Sequence, residues 1–422
     1  MGALIVLTAA LAAQAATSVG GTQAPPSADK PASNGPKAGQ STYVDLEGGV
    51  GYSTNPQLQA GSHTGGGFGR VSLHAVHTRS SARTTTLVSA YAENLTYTSH
   101  YGSQQSLSFF GRHDAAVSEY LRVFGDLSAN YQQGGQLDTQ ILVVPLVPPL
   151  VGPPGTPILL PGGADFLTVR GKEYQFAGHA GAQVSLSPRD DFSVSSGVER
   201  TTFHSSISSG LGRQSYTTVP VSLAYDRQLS ERSTVGARVV AQDTEYDGPA
   251  SIRTITPQVT GRLSLSSTLS ASGAVGVSFT RIDDGIRTRH TTGLSANAGL
   301  CSTTASGSLC ASADISQETA TVAGPSKSIS GNVSYSRQLD ADSTIAFSLG
   351  VDHYSRPISV IGGLPFSHAT YYRASAEYSR RIGTRLFAGL DLAARKLTQT
   401  GPDPKTDFNG SLFIRYRFGD VQ

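Results

Sequence analysis

The chain has no tryptophan, one methionine and only two cysteines among 422 residues. Two cysteines are too few for a scaffold held by several disulfides or for a cysteine-rich zinc site. Charge is sparse as well. Charged residues make up 15% of the chain, with 32 Lys and Arg against 30 Asp and Glu, a net +2. That balance gives no electrostatic reason to expect a polyanion, so nucleic acid is not an expected partner. Long apolar runs are missing too. Past the N-terminus no stretch approaches 18 continuous apolar residues, which excludes a transmembrane helix. Helix formers are scarce, whereas β-branched and aromatic residues recur in short runs.

The opening "MGALIVLTAALAAQAATS" has an apolar core, Leu4 to Ala13, and a small-x-small site at Ala13-Gln14-Ala15. It reads as a secretory signal over 1–15, too short for a membrane span. Residues 16–42, with "TQAPPSADKPASNGPKAGQ", read as a disordered periplasmic leader with little to bury. An exported chain without helical spans is either soluble or crosses the membrane as a closed barrel.

The period decides between them. In "SYSRQLDADSTIAFSLG", Ile345, Phe347, Leu349 and Val351 fall on one side, and Ala346, Ser348, Gly350 and Asp352 on the other. Alternation of this kind is a strand with one apolar face. Asp340-Ala341-Asp342 joins that strand to the preceding run, Ile329 to Tyr335, as a hairpin. Equivalent turns fall at Ile382-Gly383-Thr384, at Pro188-Arg189-Asp190, and near Ser267, Ser80, Val117 and Ala305. With one wider gap excepted, the turns lie roughly 37 to 42 residues apart, enough for two strands of about 10 to 13 residues and one longer loop. The expectation is an all-β, transmembrane, antiparallel up-and-down barrel over 43–418, followed by a short tail, 419–422. Eighteen strands fit best and sixteen are the alternative. Short turns belong to the periplasm and longer connections to the outside. A soluble β-sandwich would not alternate short and long connections in this way.

The faces sort accordingly. Val44, Leu46, Val50 and Tyr52 oppose Asp45 and Glu47. Leu121, Val123, Leu127 and Tyr131 oppose Arg122, Asp126 and Asn130, and Tyr372, Ala374, Ala376 and Tyr378 oppose Tyr371, Arg373, Ser375 and Glu377. A lipid-facing charge near midplane costs about 2–4 kcal/mol, so Asp45, Glu47, Arg122, Asp126, Asn130, Tyr371, Arg373 and Glu377 are candidate lumen residues. Tyr225, Tyr335 and Tyr378 each precede a short turn, where an interfacial belt belongs. The last strand, "DFNGSLFIRYRFGDVQ", sends Leu412, Ile414, Tyr416 and Phe418 outward. It resembles the final strand of bacterial outer-membrane barrels. That resemblance implies that Tyr416 and Phe418 carry the signal read by the barrel assembly machinery, although four residues follow Phe418 where the pattern ends on Phe.

Other chemistry is thin. Cys301 and Cys310 flank a tight turn, so either a small hairpin disulfide or two free thiols is expected. Ten His are scattered without zinc spacing, and His74 and His77 lie on opposite faces of one strand. No Gly-x-Ser-x-Gly elbow occurs in a strand-turn-helix setting, so no enzyme is expected, and neither metal nor cofactor. The Pro-punctuated segment 143–160 reads as an infolded plug, a partner-binding loop or a plain surface loop.

The stretch "GGVGYSTNPQL", Gly48 to Leu58, is similar to the first strand and loop of barrel proteins found with exopolysaccharide export systems in proteobacteria, through Tyr52, Asn55 and Pro56. The resemblance implies a cell outer-membrane component that assists secretion of a capsular or slime polysaccharide of the sphingan type. Its implied partners are the polysaccharide and an export lipoprotein, beside outer-membrane lipids and lipopolysaccharide. A general diffusion porin and a structural or adhesion barrel are the alternatives. A TonB-dependent transporter is disfavoured, since the chain ahead of Tyr43 has no room for a plug domain.

Overall fold

A computed structural model describes residues 39–56, 58, 64–99, 101–134, 171–205, 215–320, 324–355, 368–399 and 405–420. The signal, most of the leader, segment 143–160, His63 and His100 lie outside these residues.

The described residues form eighteen strands: β1 Gly39–Ser53, β2 Gly66–Ser80, β3 Thr84–Tyr97, β4 Ser103–Ala116, β5 Leu121–Gly134, β6 Gly171–Ser187, β7 Asp190–Ser205, β8 Tyr216–Ser230, β9 Ser233–Tyr246, β10 Ser251–Ser264, β11 Leu269–Asp283, β12 Thr288–Thr304, β13 Gly307–Ala320, β14 Gly324–Gln338, β15 Ser343–Ser355, β16 His368–Arg381, β17 Leu386–Gln399 and β18 Lys405–Gly419. Each pairs antiparallel with its sequence neighbours, and β1 pairs with both β2 and β18, so the sheet closes into a barrel without an edge. β1 begins at Gly39, inside the segment read as leader, because Gly39 to Thr42 stay in register with Ser80 to His77.

Following the registers once around the sheet returns to β1 displaced by about 22 residues, the shear of the barrel. With strands about 4.8 Å apart and rising about 3.3 Å per residue, that shear sets a tilt of about 40° and a backbone radius of about 18 Å. Each step to the next strand along a register row therefore climbs about 3 Å toward the end remote from the termini.

The strands run 13 to 17 residues, longer than the sequence spacing implied. At this tilt, about 10 residues cross a 25 Å apolar band, so the strands project beyond it. The terminus end carries only short turns, such as Pro188-Arg189 and Ala305-Ser306. The far end is less uniform than expected. Connections 54–65, 135–170, 206–215 and 356–367 are long, but 98–102, 247–250 and 284–287 are as tight as the turns below. Two of the tight ones need a left-handed residue, and a glycine supplies it in each: Gly102 (φ 72°) and Gly285 (φ 81°).

Outward positions are apolar and exposed. In β18, Leu412 is 62% and Ile414 58% exposed, with Tyr416 and Phe418 edge-on to each other at 4.7 Å below them. Leu46, Val50 and Tyr52 in β1, and Leu349 and Val351 in β15, face out as their parity requires. Such a wall is stable only in lipid. Val259 sits mid-wall in β10 between its register partners Ala237 and Val275. Val259→Arg is expected to destabilise the folded barrel in vesicles by about 2–4 kcal/mol, read by urea titration of tyrosine fluorescence. A cost below about 0.5 kcal/mol would place this surface in water.

Cys301 and Cys310 are direct register partners across the β12–β13 turn, with Cα atoms 4.1 Å apart and their sulfurs joined. The bond closes a hairpin that the ladder already holds.

Candidate functional site

The inner wall divides into two arcs. One spans β15 to β18 and continues through β1 and β2, and it is charged. Its centre is Glu47, which is fully buried. Arg70 Nη2 donates to Glu47 Oε1 at 2.7 Å and to Asp391 Oδ2 at 2.7 Å. From the other side, Arg415 Nε donates to Glu47 Oε2 at 3.1 Å. Glu377 Oε1 lies 3.5 Å from Arg415 Nη2, close enough for charge attraction but without a hydrogen bond at either atom. One layer lower, Arg417 grips Asp45 through two bonds of 2.7 Å and lies over the Tyr43 ring at 4.3 Å. One layer higher, Arg373 meets Asp352 at 3.1 Å and Arg395 meets Asp407 at 2.5 Å.

These pairs join strands that are neighbours in space yet remote in sequence. Asp45 faces Arg417, and Glu47 faces Arg415, across the seam between the first and last strands. The seam is also stitched outside the lumen, where Thr42 N–H donates to the Asp420 carboxylate at 2.6 Å and Asp420 N–H to Thr42 O at 2.9 Å. The tail that follows Phe418 thus caps the closure.

The opposite arc, β7 to β14, is richer in hydroxyls and amides, with scattered charges at Asp226, Arg238, Arg262 and Asp314. Ser193 and Ser195 in β7, Thr218 in β8, Thr244 in β9, Thr256 and Gln258 in β10, Ser278 and Thr280 in β11, and Ser295 in β12 all lie on the inner face. They bond one another: Thr218 to Thr244 at 3.0 Å, Thr256 to Ser278 at 3.0 Å, Gln258 Nε2 to Ser295 at 2.8 Å. Arg238 donates to Gln258 at 3.0 Å within this arc. Between the arcs, His179 in β6 has Asp126 at 2.9 Å on Nδ1 and Glu199 at 3.0 Å on Nε2, a row across β5, β6 and β7. The described residues contain no metal-holding group of three His, Cys, Asp or Glu.

The far mouth is narrowed from inside by three small apolar clusters, each with a residue from a connection folded inward. Tyr101 packs with Phe68, Leu95 and Tyr97. Ala250 packs with Tyr246, Ile252 and Ile282. Leu58 packs with Tyr354, Ala369, Tyr371 and Leu397. The third is the most elaborate. Asp407 Oδ1 accepts from Ser53 Oγ (2.7 Å), Thr54 Oγ1 (3.2 Å) and Asn55 N–H (2.8 Å), while Oδ2 binds Arg395. This bends the chain over the rim and inward, so that Asn55 and Pro56 are fully buried and Leu58 follows at φ 44°. The other end of the same connection is held by Tyr101, whose hydroxyl donates to Thr64 O. The glycines of "GGVG" fit here too: a Cβ on Gly51 would lie 2.4 Å from the Phe68 ring.

Of the residues proposed from parity, Asp45, Glu47, Arg373 and Glu377 are brought together in the charged arc, and Tyr371 in the mouth cluster above it. Asp126 joins His179 instead. Asn130 takes a register place beside Gln175 and Ser108, and Arg122 is exposed near the terminus end, apart from the network. Arg70, Asp391, Arg395, Asp407, Arg415 and Arg417 went unnamed, although the same alternation that sends Ile414 and Tyr416 outward sends Arg415 and Arg417 inward. Tyr52 faces out while Asn55 and Pro56 fold in, so "YSTNP" straddles the rim.

Hydrolytic chemistry has one feature to consider. Ser89 Oγ and His74 Nε2 are 3.1 Å apart, and Asp45 is the register partner of His74. Both oxygens of Asp45, however, are engaged by Arg417. A triad needs that carboxylate on the ring to orient it.

No family model and no curated protein matches the chain. Among solved structures it is similar to OpdQ of Pseudomonas aeruginosa, at 7% identity over 90% of this chain and 98% of that one, with a TM-score of 0.43. It is similar also to the FrpB iron transporter of Neisseria meningitidis (8% identity, 90% of this chain, 82% of that one, TM-score 0.43) and to the siderophore receptor PirA of Acinetobacter baumannii (8%, 90%, 81%, 0.45). At these identities the likeness is one of fold alone.

Proposed function

We propose that this chain is a non-catalytic barrel of the Gram-negative outer membrane, with its terminus end in the periplasm, and that it assists export of an exopolysaccharide. One observation carries the reading: the inner wall sets a hydroxyl-and-amide arc opposite a charged arc whose ions are spent on one another. Such a wall offers hydrogen bonds to a hydroxylated polymer along its length and no strong field of one sign to arrest it. The resemblance of Tyr52, Asn55 and Pro56 to the first loop of exopolysaccharide-associated barrels points the same way. An export lipoprotein, the barrel assembly machinery and outer-membrane lipids are the partners this role needs, with Tyr416 and Phe418 as the assembly signal.

The diffusion porin is the second reading, favoured by the wide wall. A porin that sorts ions sets cations across the lumen from acids. Here arginines and carboxylates sit on the same or nearby strands and pair along the wall, which argues against charge selection.

Two measurements test the proposal together. Deletion of the gene is expected to abolish surface polysaccharide while leaving uptake of small solutes unchanged. In planar bilayers the purified barrel is expected to conduct with a cation-to-anion permeability ratio within about threefold of one, as paired wall charges imply. Intact surface polysaccharide in the deletion strain would refute the export role. Strong ion selectivity would refute the neutral-wall argument.

A further inference from the structure

Lipid-facing positions of a barrel usually carry large apolar side chains, and over part of this wall they do not. Gly299, Ser312, Asn332, Gly350, Arg373 and Arg395, whose side chains point into the lumen, form one continuous register row across β12 to β17 whose backbone floors the outer surface between two outward rows. The outward row beside it reads Ala298, Ala313, Gly331, Val351, Tyr372 and Lys396. The outward row on its other side includes Leu300, Ala311, Ala374, Ala394 and, in β18, Phe408. Between the two rows runs a trough of about 990 Å³. That is the upper end of the range, about 300–1,000 Å³, in which ligand pockets fall. Its walls are Leu300, Leu349, Tyr372 and Phe408, all exposed.

The trough climbs, because a register row rises about 3 Å per strand toward β18. It begins low on the wall at Ala271, close above the turn that opens β11, passes mid-wall at β12, and ends at the far rim beside Lys396, whose side chain is exposed. Lys327 faces out near the same rim on β14 and is exposed too. Among the described residues, no Asp or Glu faces outward on β14 to β18. The site therefore has an apolar channel below and, above it at the level of lipid headgroups, cations that no outward carboxylate of the described residues of β14 to β18 opposes.

We propose that this trough seats an acyl chain of an outer-leaflet phosphoglycolipid, lipid A, with a phosphate of its headgroup held by Lys396. The leaflet follows from the orientation proposed above. A second copy of the chain suits the trough less well. Two barrels standing upright in a membrane touch along a line parallel to their axes, whereas this depression crosses eight strands, β11 to β18, at about 50° to the axis, the complement of the strand tilt. A single flexible chain can follow such a path, and filling it removes a void that would otherwise forfeit packing on both sides.

The test is native mass spectrometry on the full barrel, stripped of lipid in mild detergent and titrated with lipid A or with phosphatidylglycerol. The wild type is expected to retain one lipid A per chain and to prefer it over phosphatidylglycerol. Ala313→Phe combined with Ala374→Phe fills the trough and is expected to reduce retention at least tenfold. Lys396→Gln, at an exposed site that folding does not need, is expected to reduce it about fivefold, the equivalent of one cation near a charged surface. Heat-modifiable migration in gels confirms that each variant is folded. Equal retention by the filled variant or by Lys396→Gln overturns the proposal. So does equal affinity for phosphatidylglycerol, or a wild-type oligomer that the filled variant splits into monomers, which would assign the trough to a second copy. Channel conductance should be the same in all variants, so failure here leaves the export reading standing.

Discussion

Arg417→Ala is expected to destabilise the folded barrel by about 3–5 kcal/mol, because it strands a buried carboxylate. Asp45 has no solvent exposure, and both of its oxygens are held by this one guanidinium. Removing the cation leaves an ion that neither water nor another arginine stabilises to the same degree. The loss falls on the seam between β1 and β18, the last pairing that barrel closure makes, so opening should become easier as well. The measurement is urea unfolding in vesicles, with heat-modifiable migration as a second readout. A double-mutant cycle gives the sharper check. Asp45→Ala in the Arg417→Ala background should recover most of the loss, since replacing both members of a buried pair is far less damaging than breaking it. If the single variant unfolds like wild type, or if the double variant is worse than the single, the pair does not hold the seam. Arg415→Ala should cost less, because Glu47 keeps Arg70 at 2.7 Å.

The second large effect is expected at Asp407. This carboxylate accepts from Ser53, Thr54, the Asn55 backbone and Arg395, and it is fully buried. Asp407→Ala removes the buried carboxylate on which Ser53, Thr54 and the Asn55 backbone converge and with which Arg395 pairs. Charge-assisted bonds contribute about 1.5–3 kcal/mol each, so the inward bend of 53–58 should not survive. Leu58, 4% exposed and at positive φ, would leave its cluster with Tyr354, Tyr371 and Leu397. A Leu58→Cys reporter should label at least tenfold faster with a water-soluble maleimide when Asp407 is alanine. Asp407→Asn keeps an acceptor oxygen but loses the charge, and an intermediate rate is expected. Equal labelling in all three backgrounds would mean that the rim contact is held by something other than this carboxylate. Because the bend lies at the far mouth, single-channel current through the Asp407→Ala barrel should also become noisier.

The two arcs and the mouth were not equally visible in the chain. Parity in β1 marked Asp45 and Glu47 as inward, since Leu46 and Val50 on the same strand could only be outward. The same rule applied to "LFIRYRFG" would have marked Arg415 and Arg417. What no local pattern contained was that these four residues meet, because Asp45 and Arg417 are 372 positions apart and are joined only when the barrel closes. The far-end connections show a similar limit. Tight turns below were marked by breaks in alternation, but 98–102 and 284–287 read as longer loops, and their compactness depends on Gly102 and Gly285 taking positive φ.

The sequence by itself determined that this is a barrel of alternating strands and which faces of them meet lipid, and it left eighteen or sixteen as the strand number, because period two and turn chemistry are local properties of a chain whose apolar face must avoid water. Only the tertiary structure decided the shear and the cross-seam ion pairs. It alone placed Asn55, Pro56 and Leu58 inside the mouth and set the oblique trough on the wall. Those depend on register, and register relates residues through the closure of the whole ring.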